Sequence, residues 1–554
     1  MQRLQFICVF IALSFCGSYS LPRKTRSPPV FANNYSIKGV LLLPYAEIRE
    51  PFAAFYDGQN KRSRIDYYGN TVQTYQRADM GDFGVSYKIA YMPNEIGTPV
   101  RTCFQVNGSN ENPVEIQSII PDLSAFSYVK DADCYEQNAL YPIKPKDDTC
   151  ELWQSVNTVG DKENKYIMYI SKTTGAPVHY VMKGYNNLLG SHYDKYELYY
   201  SNYETGKVTD NDFEIDTSIE CGNFPGPGVE RMVFNNPMIE FINNDDTHVH
   251  ESFEDFKEKH GKSYSDTTEH ESRKNIYRQN YRYVQSMNRA GLTYALKLNH
   301  MADYNDHEFR TIRGRLPSSG YNGGKDFPKG EFSEAVPDSL DWRLYGAVTP
   351  VKDQAVCGSC WSFGTTGAIE GAYFLKNNKL VRLSQQQLID CSWPYENNGC
   401  DGGEDFRAYK YIMKAGGLAS EEDYGHYLGQ DGICHDKSVP KTAQLKGFVN
   451  VTSGDLNALK QALVKKGPIS VSIDASHKSF SFYSHGVYYD PDCKNGPDQL
   501  DHSVLAVGYG VMNGEPYWIV KNSWSTYWGN DGYVLMSQKD NNCGVATSPT
   551  YVEM

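Results

Sequence analysis

The chain carries thirteen cysteines, and two of them, Cys8 and Cys16, fall in the N-terminal run "MQRLQFICVFIALSFCGSYS". This run has one Arg, an apolar stretch from Leu4 to Cys16, and then the small residues Gly17, Ser18 and Ser20. It reads as a secretory leader, residues 1–20, cut near Ser20, with an apolar stretch too short for a membrane anchor. Eleven cysteines remain, an odd number in an oxidising lumen. Five disulfides and one free thiol is the simplest partition, so the lone thiol is the group to find.

At 554 residues the chain exceeds what one hydrophobic core supports, and several domains are expected. The net charge of −13 gives no reason to expect nucleic acid or an anionic membrane surface as partner. No segment after the leader approaches 18 unbroken apolar residues, so a soluble mature protein with no membrane span is expected.

Residues 21–235 are rich in Tyr and in short alternating runs such as "YVMKGYNNLLG" and "YDKYELYYSNYETGKV", broken by Gly- and Asn-containing turns. The pattern predicts an antiparallel β domain. Its four cysteines, Cys103, Cys134, Cys150 and Cys221, allow two disulfides in three pairings. Asn34, Asn107 and Asn450 begin N-x-S/T triplets and are glycan acceptors where exposed. A linker follows around "GNFPGPG". Residues 246–312 are helical in pattern. Glu269, Arg273, Ile276, Tyr277, Asn280, Val284 and Asn288 recur at three- and four-residue steps along one helical face, with Glu269 and Arg273 spaced to pair. Residues 313–335 return to Gly, Pro and Ser and read as an exposed linker open to proteolysis. Residues 336–554 hold the other seven cysteines, with a helix-rich half before a strand-rich half.

Cys357 and Cys360 stand three positions apart in "QAVCGSCWSF". A zinc site wants a second close pair of ligands, and no second C-x-x-C exists. A redox dithiol expects an adjacent βαβ unit, which the pattern does not offer. The remaining reading locks Cys357 in a disulfide and leaves Cys360 as a nucleophile. A thiolate at working pH needs a helix N-terminus and an imidazolium beside it. "CWSFGTTGAIEGAYFLKNN" supplies the helix, with Cys360 at its start. Among thirteen histidines, His502 lies just before the strand-like "SVLAVGYG". Twenty residues on, Asn522 in "KNSWSTYWG" offers an amide to orient the imidazole, and Trp524 a ring to shield that bond.

"QAVCGSCWSF", "DHSVLAVGYG" and "KNSWSTYWG", in this order and at these separations, resemble the papain/cathepsin L family of cysteine peptidases over 336–554. The resemblance implies an α+β, papain-like two-lobe fold, one lobe helical and one a β-barrel, with the site between them. It implies Cys360 as nucleophile, His502 as general base and later acid, Asn522 as its orienting partner, and Gln354 as an oxyanion donor. Gly402 and Gly403 match the segment that pairs with an extended substrate. The family's disulfide pattern implies Cys357–Cys400, Cys391–Cys434 and Cys493–Cys543, leaving Cys360 free. Residues 246–312 resemble the family's inhibitory propeptide, with Tyr277 and Val284 replacing the commoner Phe and Ile. Lys297, Asn299, Met301 and Asp303 match its short motif, with Lys and Met as departures. Activation cleavage is expected near Val336. No cofactor and no metal are implied; the expected partners are protein and peptide substrates and the chain's own propeptide.

By the same resemblance, the pocket for the second residue before the cut is walled by Glu404, Asp405, Ser472, Leu500 and Ser548. Two carboxylates at its rim would attract basic side chains. The long N-terminal extension resembles that of insect haemocyte cysteine proteinases. It could serve as a partner-binding module, as a folding aid, or as an exclusion domain that turns an endopeptidase into an aminodipeptidase. An inactive binding protein is the non-enzyme alternative, which the presence of Cys360, His502 and Gln354 disfavours. The expected setting is the secretory pathway: lysosome, granule or extracellular fluid.

Overall fold

The computed structural model describes residues 26–93, 99–134, 149–216, 218–223, 236–328 and 335–554. The leader, most of the linker after Asn223, and residues 329–334 lie outside them. Among the described residues no helix is long and apolar enough to cross a membrane.

The Tyr-, Val- and Ile-rich runs of the N-terminal region form one twelve-stranded sheet. Two antiparallel meanders make it, one from Asn34 to Asn107 and one from Ser127 to Thr205. They join where the strand Asn34–Leu43 pairs with Ile48–Asp57 on one side and Ser191–Thr205 on the other. Gly39 sits at that junction because a β-carbon there would lie 2.3 Å from the Tyr199 carbonyl oxygen and 2.4 Å from the Phe52 ring. The last strand, Cys221–Asn223, pairs in parallel with Pro99–Asn107. The disulfide Cys103–Cys221 staples it there, and Cys134–Cys150 ties two further strands, which settles the pairing that sequence left open. Of the three glycan-acceptor asparagines, Asn107 is exposed. Asn34 and Asn450 are half-buried and spend their amides on the Val208 carbonyl and on Asn322.

Among the described residues four helices follow: α1 (Ile239–Asn243), α2 (Thr247–His260), α3 (Thr267–Met287) and α4 (Asp306–Thr311). The Asp266 side chain caps α3 by accepting from the Glu269 N–H. The repeated polar positions of α3 are structural. Arg273 makes a fork to Glu308 and reaches Glu269 at 3.6 Å, Asn280 donates to the Ala302 carbonyl, and Asn288 exchanges two bonds with Leu296. In the short motif, the Lys297 N–H bonds the Phe482 carbonyl and Asn299 bonds the Ser481 carbonyl. Met301 is buried, and Asp303 accepts from Lys262 and Tyr264.

The C-terminal region has a helical lobe and a β lobe. Helix α5 (Cys360–Asn377) packs with α6 (Asp405–Ala415) around Trp361, Ile369, Tyr409 and Ile412. In the β lobe the strand His502–Met512 runs between Ile469–Ile473 and Glu515–Lys521. The disulfides Cys357–Cys400, Cys391–Cys434 and Cys493–Cys543 form, and among the described residues Cys360 is the free cysteine.

The linker expectation needs one correction. Two of its first residues are not exposed: Gly314 and Arg315 are buried between the two lobes, next to the buried Ile312 that ends the helical region. Glycine marks close backbone approach here rather than a solvent turn.

Candidate active site

Cys360 is the first residue of α5, with Ser359 at the N-cap. Its sulfur therefore lies at the helix end where unpaired N–H groups favour an anion. His502 opens its strand directly across, and the neighbouring Ser503 N–H points to the Cys360 sulfur at 3.5 Å. His502 Nε2 lies 2.8 Å from Asn522 Oδ1, which leaves Nδ1 as the nitrogen available to the cleft. The Trp524 ring stands 4.7 Å from the imidazole and is itself buried, so that bond is kept from water. Gln354 is fully buried, its carbonyl oxygen accepting from Ser523 and its amide facing the site. Ser523 was not singled out by sequence; it fixes which end of the Gln354 amide points inward. Cys357 is bonded to Cys400, so the two cysteines of "CGSC" are not a redox pair.

The chain's own residues 312–316 fill this groove as a strap. The Gln354 amide donates to the Ile312 carbonyl at 2.9 Å and to the Cys357 carbonyl at 2.7 Å. The Gly314 N–H faces the Cys360 sulfur. Gly403 and the strap pair in parallel: the Gly403 N–H bonds the Gly314 carbonyl and the Leu316 N–H bonds the Gly403 carbonyl. Gly402, at φ +118°, has no room for a side chain, since a β-carbon would lie 2.7 Å from the Gly314 carbonyl oxygen. The Arg315 N–H bonds the Asp501 carbonyl on the far wall.

Burial sets the charge state of the pair. It pushes the Cys360 thiol up to about 11. It pulls the His502 imidazolium down to about 4, against the opposing pull of Asn522. Both groups are therefore neutral at pH 7, and no thiolate–imidazolium pair exists while the strap is in place.

Arg315 enters the pocket expected to read a substrate side chain. Its guanidinium is 3.2 Å from Glu404 and donates to the Pro497 and Leu500 carbonyls. Ser318 also donates to Glu404. Burial holds the Glu404 carboxyl above the usual carboxylate range despite these partners. The expected pair of rim carboxylates is corrected on two points. Glu404 is 4% exposed, so it is a wall rather than a rim. The Asp405 carboxylate is taken by Ser470 and Thr550, so one carboxylate, not two, faces the arginine. Leu500 is buried beside Arg315, while Ser472, in the strand opposite Ser503, and the half-buried Ser548 make no hydrogen bond to it among the described residues.

Two family models match the chain: papain family cysteine protease over residues 336–553 and cathepsin propeptide inhibitor domain (I29) over residues 253–309. A cathepsin L-like peptidase of Aedes aegypti is 47% identical over 317 residues, 55% of this chain and 93% of that protein. Digestive cysteine proteinase 2 of Homarus americanus is 45% identical over 306 residues, 54% of this chain and 94% of that one. The solved structure of digestive procathepsin L 3 from the Tenebrio molitor larval midgut superimposes with a TM-score of 0.51 at 37% identity, covering 55% of this chain and 99% of that one. With the groove and its strap, these matches define a cysteine peptidase that carries its own prosegment. The chain belongs to the papain family, in its cathepsin L-like branch, and its N-terminal sheet is an extension ahead of the propeptide.

Proposed function

We propose that the chain is the zymogen of a cysteine endopeptidase of the secretory pathway, with Cys360, His502, Asn522 and Gln354 as its machinery. The observation that carries this reading is the strap. It engages the groups a scissile peptide would need, yet it runs parallel to Gly403 and turns the Gly314 N–H toward Cys360. Once the strap leaves, water re-enters, and the helix N-terminus and the neighbouring imidazolium hold the thiol below its ordinary range. Proton transfer from Cys360 Sγ to His502 Nδ1 then gives the ion pair. The sulfur attacks the substrate carbonyl carbon, and the oxygen gains negative charge facing the Gln354 amide. His502 returns the proton to the leaving amine as the C–N bond breaks, leaving a thioester on Cys360. Water, deprotonated by His502, hydrolyses the thioester and restores the thiol. Asn522 keeps Nδ1 aimed at the sulfur throughout.

Glu404 in the same groove favours a basic residue second before the cut. Five disulfides and the N-terminal apolar run support the secretory setting; lysosome, granule and extracellular fluid all fit it. The N-terminal sheet lies against the prosegment, which favours endopeptidase over aminodipeptidase action. Cleavage of an internally quenched peptide with a blocked N-terminus, after acid activation, tests this. Failure to cut it, with release of dipeptides from a free N-terminus, would reverse the choice.

A further inference from the structure

Helix α3 is buried without a break from Tyr277 to Val284. A helix packed on one side exposes part of every turn, so α3 must be covered on two sides. One face meets the rest of the prosegment through Asn280 and Asn288. The other carries Arg278, Arg282 and Ser286 at four-residue steps, and Arg289 continues this polar stripe from the turn just after the helix, none more than 8% exposed.

That stripe is matched from the N-terminal side. Glu50, fully buried in the strand Ile48–Asp57, receives both Nε and Nη2 of Arg289 at 2.6 and 2.8 Å and the Ser286 hydroxyl at 2.7 Å. Tyr68 hydrogen-bonds the same Ser286. Arg282 lies between Asp194, in the strand Ser191–Thr205, at 2.7 Å and Glu240 of α1 at 2.6 Å. Arg278 pairs closely with Asp246, which precedes α2, and lies 3.7 Å from Asp194. Around these ions, Tyr277, Tyr281 and Val284 share one apolar core with Phe52, Tyr67 and Tyr196 of the sheet. By contrast, a contact from the sheet region to the peptidase, Glu47 to Lys478 at 3.7 Å, involves a carboxylate that is 69% exposed.

Buried guanidinium groups are tolerated only where carboxylates meet them in good geometry. The sheet supplies two of those carboxylates, Glu50 to Arg289 and Asp194 to Arg282, while Glu240 of α1 and Asp246 before α2 supply the others. We infer that the N-terminal sheet is a receptor for the inhibitory helix: it holds α3 in place, and the strap stays in the groove only while this seam is closed. The inference rests on the reading of the strap as the block.

The test uses the full chain at neutral pH, with hydrogen exchange of the α3 amides and alkylation of Cys360 followed side by side. Glu50→Gln and Asp194→Asn should each raise α3 exchange at least tenfold, and Cys360 alkylation with it, while the sheet amides in 149–171 stay protected. The paired change Glu50→Leu with Arg289→Leu should bring both rates back toward wild type. Exchange of α3 within twofold of wild type in both single variants overturns the inference. So does a rise in α3 exchange that occurs only together with loss of the sheet's own protection, because the carboxylates would then serve the sheet. Fast α3 exchange with Cys360 still unreactive would keep the seam and refute instead the reading of the strap.

Discussion

Gly314→Ala should disable the strap without touching the peptidase. A β-carbon at residue 314 would lie 1.9 Å from the Gly358 carbonyl oxygen and 2.5 Å from the Gly358 Cα. Both are backbone atoms, flanked by the Cys357–Cys400 disulfide and the start of α5, so neither yields as the tip of a side chain would. Restoring ordinary contact moves the strap out by about 1.5 Å. At that displacement four bonds go out of range: Gly403 to Gly314, Leu316 to Gly403, Arg315 to Asp501, and Gln354 to Ile312. At about 1 kcal/mol each, with some recovered by water, the strap loses ~3 kcal/mol, roughly a hundredfold in occupancy. The assay is alkylation of Cys360 in the uncleaved chain at neutral pH, with Ser319→Ala, at an exposed position nearby, as the control. The variant should react about a hundred times faster than wild type. A rate within threefold of wild type would mean that the strap does not cover the sulfur as described.

Four further outcomes are expected. Glu404→Leu should cut the preference for Arg over Leu at the second residue before the cut by roughly ten- to a hundredfold in kcat/KM, since a charged hydrogen bond to a buried carboxylate contributes about 1.5–3 kcal/mol; an unchanged ratio refutes the assignment. Acid should open the zymogen. Burial holds His502 and His260 at about 4, below the ordinary 6.5, so the released form binds more protons and attachment weakens as pH falls from 6.5 to 4. For the fully buried His502 this amounts to ~2 kcal/mol at pH 5. His260→Phe, at a ring that meets Tyr527 of the peptidase at 5.0 Å, should lower the pH of half-activation, and an unmoved midpoint would contradict this. Asn522→Ala should lower kcat of the activated enzyme far more than it changes KM, because it frees the imidazole to turn; equal effects on both would remove its orienting role. Replacing Cys357 and Cys400 together by Ala opens a link between residues 43 apart and should cost ~4 kcal/mol in denaturant unfolding; a loss under 1 kcal/mol would show that the loop is held by other contacts.

The chemistry of the site was legible because it is concentrated in short segments. Cys360, Gln354, His502 and Asn522 each sit in a run of local pattern, and the odd cysteine count singles out one thiol. The family pairing of six cysteines is the pairing found. What escaped the sequence is what depends on partners far along the chain. Gly314 and Arg315 read as exposed linker because Gly, Pro and Ser follow them; their burial comes from walls supplied by residues 358, 403 and 501. Arg278, Arg282 and Arg289 would pass for a solvated helix face, and nothing local names Asp194, Glu240 or Glu50 as their partners. Asp405 looked like Glu404 in sequence, yet the first turn of α6 points its carboxylate at Ser470 and Thr550. The strand pattern of 21–235 foretold antiparallel pairing, but the closing disulfide, Cys103–Cys221, spans 118 residues and is invisible to local pattern.

The most direct measurement is the pH profile of Cys360 alkylation in the intact chain and in the peptidase freed of its prosegment. A covered, neutral sulfur predicts an intact-chain rate that climbs only toward pH 11, and a freed enzyme already at its plateau below pH 7. Superimposable profiles would contradict the account, because the strap would then have no hold on the protonation of the pair.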